Sequence, residues 1–331
     1  MAPTRVPSWL SGGRWPWWLQ VLAVYAVTRV WSTAVLLFAA SGQPESYWGP
    51  AQPDYATFVG LFWDGSWYRA IAENGYPAAL SVDAAGTVQQ NAWAFFPLYP
   101  ALVRGLLLAT GGSWATLAPA ASLALGAGAM LLLDRLVQRE AEIRGASSGR
   151  SLALGTVLLV GLYPAAPVLQ AAYSESLALF LVVLALWLLV RRRYGWAIPV
   201  VVALGFTRAV ALPMAAVVLI HLGMRWRNHH AGREALRRGE AARLGTLAAA
   251  AGAAGIAWPV TVALATNRVD GYVQVQSAWR GTFSSAPLVP WFQMADYLMG
   301  RWGWLVLVLV VAAVVGLALS RGAGAAGVEV K

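Results

Sequence analysis

Five short stretches hold nearly all the side chains able to do chemistry in this chain. The first, FWDGSWYRAIAENGYP at 62–77, places Asp64 at the head of a predicted helix that stops at Asn74-Gly75. Two readings stand. Asp64 caps an interfacial helix whose Trp63, Trp67 and Tyr68 sit among lipid headgroups, or it is a base that takes a proton from a sugar hydroxyl at the water–lipid boundary. A carboxylate has lone pairs for both. Tyr68 follows one turn later on the same face.

Arginines inside apolar sequence form the second group. Arg208 lies in FTRAVALP at 206–213, where a planar guanidinium fork suits a buried phosphate. Its alternative is an ion pair with Glu175 or Asp64. Arg104, in NAWAFFPLYPALVR at 91–104, either serves a site or snorkels to the interface. Arg29, inside the first apolar stretch, is the remaining candidate for the same anion. In PAAPVLQAAYSESL at 164–177, Tyr173 and Glu175 offer contacts to sugar hydroxyls, and Ser174 or Ser176 offers a helix cap. In YVQVQSAWRGTFSSAPLVPW at 272–291, Gln276, Trp279 and Arg280 supply hydrogen bonds and an aromatic platform for a sugar ring. Interfacial anchoring explains those aromatics equally well.

The elements that position these groups follow from composition. Of 331 residues 59% are hydrophobic and only 11% charged, against roughly 25% charged in a soluble domain. A polytopic membrane protein is expected. With no cysteine, thiolate metal sites, iron–sulfur clusters and a cysteine nucleophile are excluded. Three histidines leave little for a histidine-built metal centre, so neither metal nor cofactor is expected. The basic cluster at 225–243 carries no nucleic-acid-binding motif. It is expected to contact anionic lipid and to orient the chain.

Apolar blocks at 17–40, 94–110, 114–133, 152–170, 177–190, 196–222, 244–266 and 302–320 predict an all-α fold. It should have about 8–10 membrane helices, each spanning helix needing roughly 20 residues. Segments 1–16, 134–150, 191–193, 223–243 and the C-terminal tail hold 17 of the 24 basic residues. By the positive-inside rule they and the N-terminus are cytoplasmic, and the loops 41–93 and 267–301 face outward. Two blocks, 94–110 and 196–222, break the alternation this requires. They are read as short or re-entrant helices. The whole of 1–331 is expected to form one membrane-embedded domain.

Taken in order, these stretches resemble the PIG-V family, the second mannosyltransferase of GPI-anchor assembly and its bacterial relatives. FWDGSWYRAIAENGY resembles that family's WD…IA…GY segment, AFFPLYP its FFP-x-x-P segment, and AAYSESL its segment of the same sequence. Thr207-Arg208 resembles its TRSNG segment, with Ala209 and Val210 in place of Ser and Asn. QSAWR at 276–280 is a looser echo. The resemblance implies a GT-C type glycosyltransferase in the cell membrane with an extracytoplasmic active site. It would take mannose from a polyprenyl-phosphate donor with inversion, Asp64 being the base. Because the arginine-rich, Ala/Gly/Val-rich composition suggests a GC-rich bacterial genome, the expected acceptor is an envelope glycolipid, glycan or protein rather than GPI. A flippase of lipid-linked sugars and a non-catalytic membrane subunit are the rival classes.

Overall fold

The computed structural model describes residues 15–143, 145, 148–280 and 289–326. Arg5 and Arg14, and residues 281–288 of the second loop, lie outside them. Among the described residues the chain is all-helical, with thirteen α-helices and no strand. It divides into two compact units, the described parts of Met1–Leu80 with Asn91–Tyr272, and of Ser81–Gln90 with Val273–Lys331.

The first unit contains α1 (Trp17–Ser41), α2 (Tyr55–Leu61), α3 (Asp64–Asn74), α4 (Leu98–Thr110), α5 (Trp114–Ile143), α6 (Gly149–Leu162), α7 (Glu175–Val190), α8 (Tyr194–Gly205), α9 (Ala211–His230) and α10 (Arg238–Thr266). Apolar helices without a soluble-type polar face pack through small residues. A side chain at Gly205, for example, would meet the Ala254 carbonyl oxygen at 2.4 Å, so α8 and α10 touch backbone to backbone. The order of packing runs α1, α6, α5, α7, α8, α10, α9. Val21, Tyr25, Met130, Leu154 and Val157 form the buried core where α1, α5 and α6 meet. The opposite side of α1 exposes Val27, Val30, Trp31 and Phe38, a surface suited to lipid and not to water.

Four stretches are long and apolar enough to cross a bilayer: Trp17–Ser41, Trp114–Ile143, Arg238–Thr266 and Val289–Ala313. This is the make-up of an all-α membrane protein. Four further apolar helices, α4, α6, α7 and α8, are shorter. The two irregular blocks are explained by length. The 94–110 block forms only the 13 residues of α4, about 20 Å of helix against a hydrocarbon core of about 30 Å. The 196–222 block breaks at 206–210 into α8 and α9, and Arg208 sits in the break.

Several helices outrun their apolar blocks. α5 continues through Asp134 to Ile143, α9 reaches His230, and α10 starts at Arg238. Arg, Glu and Gln are good helix formers, so the apolar boundary and the helix boundary differ.

The second unit contains most of α11 (Gly271–Arg280), then α12 (Val289–Met299) and α13 (Gly303–Ala326). The chain bends at Gly300, where φ is +59°, and α12 folds back on α13 with Gly303 against the Ala295 backbone. Residues 81–90 form a turn in which Asp83 Oδ1 accepts from the N–H groups of Ala85 and Thr87.

Candidate functional site

Helix α3 starts at Asp64 itself, not after it. The preceding Trp63 has φ 42° and ψ −105°, and Gly65 N–H donates back to the Phe62 carbonyl at 2.9 Å. This is close to a type II′ turn with tryptophan where glycine is preferred, so the backbone leading into Asp64 is strained. Gly65 is required next, because a Cβ there would lie 2.6 Å from the Gly60 carbonyl oxygen. The end of α3 is as the sequence predicts, with Gly75 at φ +76° after Asn74.

The capping reading of Asp64 is not what forms. No side-chain cap bond is made at the start of α3. No described residue hydrogen-bonds to the Asp64 carboxylate. Burial and then the neighbouring Glu175 carboxylate push the Asp64 carboxyl up to about 6, with Arg208 pulling the other way. The carboxyl is partly open to the surface. A group of this kind is half-ionised near pH 6 and carries a basic, unbonded oxygen above it.

Facing it are the first residues of α7 and the α8–α9 break. Tyr68 Oη and Ser174 Oγ are hydrogen-bonded at 2.8 Å. Arg208 Nη1 donates to Ser174 Oγ at 3.2 Å and pairs with Glu175 Oε1 at 2.8 Å. Ser174 stands at the N-cap position of α7 but makes no cap bond, because its hydroxyl is used by Tyr68 and Arg208. Ser176 likewise donates to the Leu169 carbonyl at 2.9 Å. Serine capping is thus replaced by tertiary bonding at both positions.

Two donor sites of Arg208 remain open. Both bonds go through Nη1, while Nε and Nη2, which together form the side-on edge of the guanidinium, bond to no described residue. Glu175 Oε2 is buried without a hydrogen-bond partner among the described residues. The corner therefore offers a basic carboxylate, a second carboxylate oxygen and a planar donor edge, which fit a hydroxyl and an oxyanion.

The support beneath is aromatic. Tyr68 is buried edge-on to Phe95 and Tyr99, with ring centroids 5.4 and 5.3 Å away. Tyr99 donates to the Ala118 carbonyl at 2.8 Å, and Ser122 Oγ, bonded to it at 2.9 Å, reaches the Tyr173 carbonyl. The Tyr68 hydroxyl, expected to contact sugar, is thus engaged in holding the corner, and Tyr173 is tied in through its backbone carbonyl. Beside the break, Pro97, Leu98, Ile198, Val202 and Phe206 line an apolar groove of about 500 Å³ between α4 and α8. The Leu98 N–H donates to the Phe206 carbonyl at 2.9 Å, two residues before Arg208.

Of the other expected residues, Arg29 and Arg104 lie elsewhere in the first unit. Arg29 is buried, donating from Nη1 to the Ala166 carbonyl at 2.8 Å and from Nη2 to the Gly161 carbonyl at 2.9 Å. It joins α1 to the end of α6. Arg104 is exposed and donates to the Ala72 carbonyl at 3.0 Å near the end of α3, as a snorkelling arginine does. Neither bonds to a member of the Asp64 corner. Gln276, Trp279 and Arg280 belong to the second unit, on α11. Ser174 was foreseen only as a cap, and its central place has no local signal, since its partners are 106 and 34 residues away.

Among the described residues no three His, Asp or Glu side chains gather as a metal site. No family model, curated protein or solved structure matches this chain.

Proposed function

We propose that the chain is an inverting glycosyltransferase that moves a hexose, with mannose the first candidate, from a polyprenyl-phosphate donor to an envelope glycolipid, glycan or protein. The single observation that carries this reading is the unbonded Asp64 carboxyl, raised to about 6, beside an arginine with a free bidentate edge. The resemblance to the PIG-V family names the same aspartate and arginine.

The acceptor hydroxyl oxygen attacks the anomeric carbon, and the bond from that carbon to the phosphate oxygen breaks. Asp64 takes the hydroxyl proton. The electron pair leaves on polyprenyl phosphate, where Nε and Nη2 of Arg208 meet the growing charge. Glu175 and Ser174 hold Nη1, so the fork is aimed before substrate arrives. The groove lined by Ile198, Val202 and Phe206 suits an isoprenoid chain. One displacement inverts the anomeric centre and needs no covalent sugar–enzyme intermediate.

The test is incubation of the purified protein with radiolabelled polyprenyl-phosphate-mannose and a membrane lipid extract. Label appearing in a new product is expected. Movement of the donor across a vesicle without chemical change would replace this reading by a flippase, and no change at all by a non-catalytic subunit. On the same reading the loop carrying Asp64 faces outward and the 223–243 segment faces the cytoplasm.

A further inference from the structure

Away from the Asp64 corner, the C-terminal ends of α5 and α7 enclose a second polar cavity, of about 330 Å³. Arg135, Gln138, Arg139, Glu142, Trp187 and Arg191 line it, so three cations face one carboxylate. None of the three arginines has a carboxylate within salt-bridge distance among the described residues. Nearby Arg150 is different, being paired with Asp134 at 2.8 Å and bonded to Gln20.

Two of the three guanidiniums lie over aromatic rings. Arg135 lies 3.7 Å over the Trp17 ring, and Arg191 lies 5.1 Å over the Trp187 ring. A cation–π contact helps hold the guanidinium while its N–H groups can still donate. The third, Arg139, has its Nε buried with no hydrogen-bond partner. A cationic donor desolvated in this way is costly unless an acceptor fills the cavity. A fully solvated topogenic arginine would not have a buried, unpartnered Nε as Arg139 does.

We infer that this cavity is a binding site for a phosphodiester anion, the headgroup of an anionic glycerophospholipid, taken by Arg135, Arg139 and Arg191. Bidentate guanidiniums match phosphate oxygens. A lipid source follows from the setting. The cavity opens where the apolar helix α7 ends at Val190 and turns polar at Arg191, with Trp187 on its wall as at a membrane interface. The inference does not depend on the proposed transferase activity.

The test is native mass spectrometry of the delipidated full chain, titrated with phosphatidylglycerol, phosphatidylcholine or glycerol 3-phosphate. Wild type should retain phosphatidylglycerol and not phosphatidylcholine. Arg139→Gln should weaken that retention at least tenfold, and the exposed Arg191→Gln should do the same if the first variant does not fold. Arg69→Gln, a charge removed from an exposed pair with Glu73 on α3, should leave it unchanged. Glycerol 3-phosphate binding as tightly, with the same arginine dependence, would support the anion site and name a soluble phosphoester as its occupant. Equal retention of both lipids, or equal loss in Arg69→Gln, would overturn the proposal.

Discussion

Two arginines, Arg208 just before the start of α9 and Arg225 in its last two turns, about 25 Å apart along the axis, show how the same side chain is locked in one place and poised in another. At the far end Arg225 is only 4% exposed and is clasped by Glu234 through Nη1 and by Glu240 through Nη2. Glu234 is bound in turn by Arg192, so both terminal nitrogens of Arg225 are spent on structure. At the near end Arg208 has a side chain 38% exposed, and Nη1 alone is held. The carboxylate of its neighbour Asp64 bonds to no described residue and follows a strained tryptophan. One corner has balanced its charges internally, with only the buried Nε of Arg225 left without a partner; the other has left a base and a two-nitrogen donor edge unsatisfied. Unsatisfied groups in a partly buried place reduce stability, and that is the signature expected of a site.

This contrast is open to direct attack, beginning with the largest effect. Arg225→Ala leaves Glu240 without its cation and Glu234 with Arg192 alone, and thermal unfolding in detergent should show a loss of about 3 kcal/mol. Arg208→Ala should melt close to wild type. Equal losses would mean that both arginines are structural.

Next is Asp64→Asn. The Asp64 carboxyl moves from 3.8 to about 6 on folding, so folding favours its protonated form. That contribution is fully present below about pH 4 and is lost as pH rises through 6. At pH 8 the charged group therefore costs stability, and asparagine should raise it by about 2 kcal/mol. The gain should vanish near pH 4. A cap would behave otherwise, because asparagine caps as well as aspartate.

A smaller effect is expected at Arg208→Lys. An ammonium can keep the pair with Glu175 but cannot present the side-on edge. Donor affinity should fall about tenfold, or about 1.4 kcal/mol, with the melting temperature unchanged. Unstable protein with normal donor affinity would make Arg208 a second lock.

The smallest effect concerns strain. Trp63→Gly relieves a positive φ at an exposed residue, and after glycine's own entropy cost should stabilise the fold by about 1 kcal/mol. A matching fall in transfer rate would show that the strain aims Asp64.

What could be read without coordinates was local. Asp64 at a helix start, the Asn74-Gly75 stop and the break around Arg208 each follow from a few adjacent residues. The short reach of α4 was implied by an apolar block with no room to alternate. What stayed hidden was tertiary. Ser174 is a hub because Tyr68 and Arg208 arrive from distant segments. The Trp63 backbone contradicts its own residue preference and is imposed by the Gly60–Gly65 contact. Arg29 and Arg208 read alike as arginines in apolar sequence. Only the carbonyls left free at the end of α6 turn the former into a tie. Hydropathy also misplaced the ends of α5, α9 and α10, since it reports where lipid stops and not where the helix does.

The central claim is that Asp64 is a base and not a cap, and the transfer rate of wild type and Asp64→Asn measured from pH 5 to 8 tests it most directly. The account predicts a wild-type rate that climbs with pH and levels off above about 6. It predicts an Asp64→Asn rate lower by about 100-fold or more with no such rise, in the range general-base removal gives. An Asp64→Asn protein that turns over at the wild-type rate, with the same pH profile, would contradict it.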